Sequence, residues 1–251
     1  MSRGPDPAPA LDTDLAALGA LGGFFVLRAA VRPPRPLATL ADAYAGRTAD
    51  GPGDPLAARV RRVAAGTGAT EERVAASVAH LGLAARLAAA ALGCAALHGA
   101  VPELDPGLLR WDPDATAPDD LWLTAVRPRP DDRLGEVLLD GHLAPLGRAL
   151  AARHRLAPGL LRGNAASAVA GAARQLDRWA RDRGRPDVAR RAATATERLF
   201  AHPYLSGTGT VTGPAFRRRS CCLYYRVPGS GVCGDCCFTR PPRSSPRAPS
   251  G

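Results

Sequence analysis

The sequence predicts a mainly α-helical fold with a small β element (α+β), in which a helical body precedes a cysteine-rich C-terminal segment. Three observations carry this prediction. Ala- and Leu-rich stretches place apolar residues at helical spacing, one alternating run is typical of a strand, and five of the six cysteines lie within Cys221–Cys237. With 251 residues the chain can bury a core without disulfide staples, so the clustered cysteines need another explanation.

The N-terminal region combines a Pro-rich start with a predicted helix. Residues 1–10 are predicted to be disordered. A helix is predicted from Asp12 toward Arg32, where the run RPPRP would end it. The apolar part of this helix follows acidic rather than basic residues, which is unlike a signal peptide. Gly46–Pro55 is predicted to be a loop from its Gly, Asp and Pro content.

The longest apolar stretch, Val74–Leu97, is predicted to be a buried helix. Thr70 precedes two glutamates, a pattern typical of a helix N-cap followed by acids at the positive end of the helix dipole. His80 and Arg86 interrupt the apolar run, which favours a core helix over a membrane span.

The second half of the body is predicted to contain one strand and three helices. The alternation in Asp119–Pro128 predicts the strand, and helices are predicted at Arg133–Arg155, Gly163–Arg183 and Pro186–Ala201. The predicted organisation is therefore a disordered N-terminus (1–10), a helical body (11–205), a cysteine segment (214–240) and a disordered tail (241–251).

The charge of the chain is concentrated around the cysteines. The sequence contains neither lysine nor isoleucine, so all 33 basic residues are arginine, a bias typical of GC-rich coding sequences. Residues 217–251 contain seven arginines and one acid, and they contribute +6 of the net charge of +10. The other arginines are mostly interspersed with acids, which does not predict a nucleic-acid surface. The absence of lysine excludes a P-loop lysine and a Schiff base.

Four of the clustered cysteines follow the spacing C-C-x10-C-x2-C, which indicates a metal centre. Two residues between thiolates let a turn direct both sulfurs inward. The adjacent pair can share one centre only if the backbone turns there, because successive side chains of an extended segment point to opposite faces. In a reducing cytoplasm such cysteines are typical of ligands rather than disulfides. Zinc and an iron–sulfur cluster both suit four thiolates. The spacing favours iron–sulfur, because only half of the usual zinc layout of two C-x2-C pairs is present.

The stretch RRSCCLYYRVPGSGVCGDC resembles the C-terminal signature of the FhuF-like ferric-siderophore reductases, whose 2Fe–2S cluster is bound with the same spacing. A weaker similarity in LLRGNAASAVAGA, VAASVAHLGLAARL and LWLTAVRP extends the resemblance from about Val60 to Arg240. The resemblance implies that the ligands of the cluster are Cys221, Cys222, Cys233 and Cys236.

The sequence departs from this family at two positions. Arg162 stands where the family often has tryptophan, and Cys237 is an additional thiol beside the last ligand. Cys237 could compete for the fourth position, but the spacing favours Cys236. Asn164 is interpreted as a possible helix N-cap.

The resemblance implies the one-electron reduction of a ferric siderophore, with release of ferrous iron in the cytoplasm. Hard oxygen donors bind Fe(III) far more tightly than Fe(II), so one electron releases the metal and no catalytic residue beyond the cluster is required. The expected partners are the ferric siderophore and a separate electron donor of the ferredoxin or flavin-reductase type, without nucleic acid or stable membrane insertion. Two alternatives stay open: a structural zinc-binding module, and a 2Fe–2S electron carrier or iron sensor without reductase activity.

The remaining signals favour structural roles. Gly229–Gly234 satisfies G-x-G-x-x-G without the strand and helix that a dinucleotide site requires. Cys94 is predicted to be a small buried residue, and Tyr224 and Tyr225 are expected to pack rather than to bind substrate. The histidines, expected on helix surfaces or as hydrogen-bonded core residues, are His80, His98, His142, His154 and His202.

Overall fold

A computed structural model describes residues 15–30, 33, 35–47 and 53–242. It confirms the mainly α-helical class, since 56% of the described residues are helical and the strands among them are few and short. The predicted disordered segments 1–10 and 241–251 lie outside the described residues, apart from Pro241 and Pro242. The α-helices are α1 (Leu40–Ala45), α2 (Pro55–Thr67), α3 (Glu72–His98), α4 (Ala144–His154), α5 (Pro158–Asp182) and α6 (Pro186–Ala201). The strands are β1 (Arg28–Ala29), β2 (Ala38–Thr39), β3 (Ala100–Pro102), β4 (Leu109–Trp111), β5 (Leu121–Leu123), β6 (Pro128–Pro130), β7 (Gly209–Thr212) and β8 (Ala215–Arg218).

Helix α3 is the centre of the core and packs along α5. Most of its residues are buried on every side, and many of them are alanines, which let neighbouring helices approach closely. By length and composition α3 could cross a membrane, but 78% of its most apolar window is buried inside the protein. That burial is typical of the core helix of a soluble protein and agrees with the predicted buried helix. Its N-cap residue is Glu71 rather than Thr70.

The helix predicted from Asp12 toward Arg32 is wrong. Short 3-10 turns occupy Leu15–Leu21 and Gly23–Phe25, and the chain then extends into β1. Gly22 separates the two turns with φ of 114°, a backbone conformation that suits glycine and interrupts a helix. Arg86 of α3 holds this segment, since its buried guanidinium donates to the carbonyls of Phe24 and Val26 and pairs with Asp120.

The predicted strand contains β5, whose partners could not be read from the sequence. It lies in a four-stranded sheet of order β1-β5-β4-β2, with β1 parallel to β5 and β4 antiparallel to it. Two further pairs, β3–β6 and β7–β8, are antiparallel. All three sheets are small attachments to the helical body.

The later helix predictions are mostly correct. Helix α6 has the predicted bounds, whereas α5 begins five residues before the predicted start, at Pro158. The segment predicted as one helix from Arg133 begins as a 3-10 turn and a π-helix, Gly135–Leu143, before α4. Helix α2 was not predicted; Asp54 caps it with hydrogen bonds to the N–H groups of its first turn. Residues 48–52 of the predicted loop lie outside the described residues.

The hairpin β7–β8 delivers the chain to the cysteines. A β-carbon on Gly209 would lie 2.4 Å from the Arg217 carbonyl oxygen, so only glycine permits this close pairing. Beyond the hairpin, the Arg218 N–H donates to the Asp235 carbonyl at 3.0 Å and the Arg219 N–H to the Thr208 carbonyl at 2.8 Å. The first bond joins the hairpin to the last turn of the cysteine segment, and the second extends the pairing of the hairpin by one residue.

Candidate metal centre

The cysteines lie on two turns that face the buried pair α3 and α5. After Cys221 and Cys222 the backbone reverses at Leu223, which has φ of 66°, a left-handed conformation that non-glycine residues adopt rarely. This is the backbone turn that the adjacent cysteine pair requires. The second turn closes with a hydrogen bond of 3.0 Å from the Cys236 N–H to the Cys233 carbonyl.

A buried chain of hydrogen bonds ties the first turn to both core helices. The Ser77 hydroxyl on α3 donates to the Cys222 carbonyl at 2.7 Å. The Asn164 amide on α5 donates to the carbonyl and hydroxyl oxygens of Ser77 at 3.0 and 3.1 Å. The Arg218 guanidinium donates to the Asn164 side-chain oxygen at 2.7 Å. Because Asn164 is fully buried inside α5, its interpretation as an N-cap is wrong, and its amide instead fixes the position of the cysteine segment.

Gly163 allows the segment to approach α5 this closely. A β-carbon at this position would lie 2.3 Å from Ser220 Oγ and 2.9 Å from Arg218 Nη2. Ser220 in turn donates to the Gly159 carbonyl at 2.9 Å. Because residue 163 has no side chain, the backbone of α5 itself contacts the chain where it enters the cysteine turns.

Two of the sulfurs accept a hydrogen bond from the backbone N–H two residues later. The Leu223 N–H lies 3.3 Å from Cys221 Sγ, and the Phe238 N–H lies 3.4 Å from Cys236 Sγ. The backbone at Tyr224 and at Asp235 acts to lower the pKa of Cys222 and of Cys233 respectively. Backbone N–H donors stabilise negative charge on the acceptor, so all four positions suit thiolates. These four are the cysteines of the C-C-x10-C-x2-C pattern.

Cys237 differs from these four residues. Its thiol interacts with its own backbone N–H and with Cys236, without an N–H from two residues later. Burial, followed by the neighbouring Cys236, raises its pKa.

The thiols are arranged in pairs. The thiols of Cys222 and Cys233 are neighbours, and their interaction lowers the pKa of Cys222 to about 7 and raises that of Cys233. Cys221 lies within electrostatic range of Cys236 and Cys237, and burial is the main cause of its raised pKa. Among the described residues, no three Cys, His, Asp or Glu side chains converge where they could hold one metal ion. A 2Fe–2S cluster takes two thiolates on each iron, whereas structural zinc takes four ligands around one ion. The pairs therefore fit the two-iron group.

Arg218 supplies buried positive charge beside these sulfurs. The side chain is 1% exposed, and it acts electrostatically on Cys221, Cys222 and Cys233. One nitrogen, Nη2, is held by Asn164 and by the Leu160 carbonyl, but Nε and Nη1 have no hydrogen-bond partner among the described residues. A buried cation without a counterion is costly, and a 2Fe–2S cluster with four thiolates carries net negative charge. The orphaned guanidinium thus fits this group.

His80 of α3 lies near the same guanidinium. Burial and Arg218 together lower the pKa of His80 to about 3, so its ring is neutral. Both ring nitrogens lack a hydrogen-bond partner among the described residues, so the expected hydrogen-bonded core histidine is wrong here. His142, in contrast, is buried and hydrogen-bonded to Tyr44 and to the Leu104 carbonyl.

Exposed contacts complete the attachment of the segment. Arg226 pairs with Glu71 at the start of α3, and Arg174 of α5 pairs with Asp235 at 3.0 Å. Tyr225 packs edge-on against Phe238 with ring centroids 6.1 Å apart, which agrees with a packing role. Tyr224 remains exposed.

Sequence reasoning singled out the cysteines but not the residues that hold them. Ser77 and Arg218 lie far apart in the sequence, and neither has a local pattern that predicts their meeting. The run Arg217–Arg219 and the dipeptide Gly163–Asn164 were the available signals. Cys94 is fully buried in α3, as predicted, and Gly229–Gly234 lies in loops between the two cysteine turns, which confirms that it is not a dinucleotide motif.

Comparison with known proteins gives one match. The family model described as FhuF 2Fe-2S C-terminal domain matches residues 218–238, which contain Arg218 and all five clustered cysteines. No curated protein matches the chain significantly. The match confirms the resemblance over the cysteine segment, while the similarity from about Val60 to residue 217 and the predicted domain bounds stay predictions. The chain therefore carries an FhuF 2Fe–2S C-terminal domain, consistent with an FhuF-like family, and the cofactor of that domain is a 2Fe–2S cluster.

Proposed function

We propose that this protein is a cytoplasmic ferric-siderophore reductase that transfers one electron to a ferric siderophore and releases ferrous iron. The observation that carries the proposal is the set of four cysteines at C-C-x10-C-x2-C spacing inside an FhuF 2Fe–2S domain, beside a buried guanidinium, with backbone N–H donors on Cys221 and Cys236. Such a set supplies a one-electron site without any acid, base or nucleophile.

The proposed ligands are Cys221, Cys222, Cys233 and Cys236. When bound, a 2Fe–2S cluster supplies one electron at a time. The backbone N–H groups and the Arg218 guanidinium stabilise negative charge on the sulfurs, which favours acceptance of an electron. The network through Asn164 and Ser77 holds the first pair of sulfurs against the core helices.

One electron is sufficient for iron release. Fe(III) is a hard cation that oxygen donors hold tightly, and the same donors hold Fe(II) much less tightly. The siderophore leaves unchanged while its iron is reduced from Fe(III) to Fe(II). The electron is replaced by a separate donor, which we propose to be a ferredoxin or a flavin-dependent reductase.

The test is a single-turnover reduction. The cluster-loaded protein is photoreduced without oxygen and mixed with an equimolar ferric chelate and a colour-forming Fe(II) chelator. We expect about one Fe(II) per cluster, and we expect the protein to be reoxidised at the same rate as Fe(II) forms. A protein that stays reduced and forms no Fe(II) above a protein-free control, with hydroxamate and catecholate chelates alike, would instead be an electron carrier or sensor.

A further inference from the structure

A cleft runs beside the cysteine segment between α3 and α5. It has a volume of about 430 Å³, and its lining includes Cys233, Gly234 and Asp235 of the cysteine segment as well as Phe24. A second cavity of about 310 Å³, between α5, α6 and the β7–β8 hairpin, does not include a cysteine. Of these two cavities, only the first brings a small molecule to a proposed cluster ligand.

Two buried side chains in the wall of this cleft have unsatisfied polar atoms. Ser167 and Arg218 both line it. Ser167 Oγ, Arg218 Nε and Arg218 Nη1 have no hydrogen-bond partner among the described residues. Buried polar atoms are nearly always paired in folded proteins. The cluster would compensate the charge of Arg218, but Ser167 Oγ and the Nε and Nη1 groups of Arg218 still need a hydrogen-bond partner, which the described residues of this cleft do not supply. Guanidinium nitrogens are donors only and a hydroxyl can donate, so that partner presents acceptor oxygens.

Much of the remaining wall is apolar. Leu81, Ala85 and Ala89 contribute from α3, and Ala168 and Ala172 from α5, while Arg174, Gln175 and Asp235 add polar groups. Phe24 is 47% exposed and adds an open aromatic surface. A ligand with an oxygen-rich centre and an organic periphery matches this combination of walls.

We propose that this cleft binds the ferric chelate, with the iron-coordinating oxygens directed to Ser167 and Arg218 and the organic periphery against Phe24 and the alanines. The proposal rests on the reductase function and locates its substrate site. Because Cys233 lines the same cleft, an iron bound there lies next to a cluster ligand. Hydroxamate and catecholate oxygens share the acceptor chemistry that this wall requires.

Gly171 offers a direct way to block the cleft. It lies in the wall on α5, and a β-carbon there would meet only Arg174 Nη2, at 3.9 Å. Gly171→Leu therefore fills the cleft without straining the helix. Gly66 of α2 is the matched control, because a β-carbon there meets nothing within 4 Å and the residue lines neither cavity. Ser167→Ala removes one donor.

Binding is measured by calorimetry on the cluster-loaded full chain, with gallium(III) complexes of a trihydroxamate and of a tricatecholate. Gallium(III) has the charge of Fe(III) and is not reduced, so binding is separated from electron transfer. For the complex that binds, we expect Gly171→Leu to weaken affinity at least tenfold, Ser167→Ala to weaken it severalfold, and Gly66→Leu to leave it within twofold.

Equal affinity of Gly171→Leu and the unaltered protein for both gallium complexes would overturn the cleft assignment. If the unaltered protein still reduced a ferric chelate in single turnover, the reductase function would stand and the substrate would bind elsewhere. If the unaltered protein bound neither gallium complex and reduced no chelate, the assignment and the proposed function would both fail. Iron and sulfide content of each variant shows that the cluster is retained.

Discussion

The helical core and the cysteine segment are held in different ways. Helix α3 is buried along most of its length by apolar side chains, so many small contacts share its stabilisation. In residues 218–238 only Arg218, Cys222 and Val227 are buried, and the attachment depends on a few hydrogen bonds, one glycine and a buried charge. Single changes in the segment should therefore have large and specific effects, while the core helices keep their structure.

The largest effect is expected from replacing a proposed ligand. Cys222→Ser should abolish cluster binding, because serine offers no thiolate to iron, while Ser77 still bonds to the backbone carbonyl of residue 222. Iron and sulfide assays with visible absorption measure the loss, and far-UV circular dichroism should show unchanged helix content. Full cluster content in this variant would contradict the ligand assignment, and lost helicity would contradict the separation of core and segment.

Arg218→Gln should lower the reduction potential of the cluster. Reduction adds negative charge, and the variant removes the buried cation that compensates it, so the reduced state becomes less favourable. We expect at least a tenfold change in the reduction equilibrium, which is about 59 mV for one electron. The control is Arg217→Gln, which removes the same charge from an exposed position, where solvent screens it. Equal shifts in a spectroelectrochemical titration of the two variants would contradict the special role of Arg218.

Gly163→Ala should weaken the docking of the segment. The added methyl group would lie 2.9 Å from the pinned Arg218 Nη2, and overpacking of this kind costs about 1–3 kcal/mol. At roughly 2–4 °C per kcal/mol for a chain of this size, a thermal melt resolves the change. Gly159→Ala, on the same helix, meets nothing within 4 Å and should be neutral or slightly stabilising. A lower melting temperature for Gly159→Ala than for Gly163→Ala would contradict the close approach of the segment at Gly163.

The smallest effect is expected at the fifth clustered cysteine. Cys237→Ser should retain the cluster with an unchanged absorption spectrum, because Cys237 lies outside the C-C-x10-C-x2-C spacing. Iron content and absorption of the purified variant are the measurement. Loss of iron in this variant, together with its retention in Cys236→Ser, would move the fourth ligand to Cys237.

The sequence predicted the parts of the molecule that depend on local patterns. Periodicity was sufficient for α6 and for the buried α3, and the cysteine spacing pointed to the metal centre. The N-terminal helix failed because Gly22 and the pairing of β1 with β5 override an apolar run. The support of the centre was not predictable, since Ser77, Asn164 and Arg218 meet only through packing of distant segments. A buried arginine in an arginine-rich chain has no sequence signature.

Four thiolates of residues 221–236 are proposed to hold a 2Fe–2S cluster. This is tested most directly by an absorption spectrum of anaerobically purified protein, with iron, zinc and acid-labile sulfide assayed on the same sample. We expect about two irons and two sulfides per chain, with visible bands that bleach on one-electron reduction. A colourless protein with one zinc and no sulfide, even after attempted cluster reconstitution, would contradict the cluster assignment.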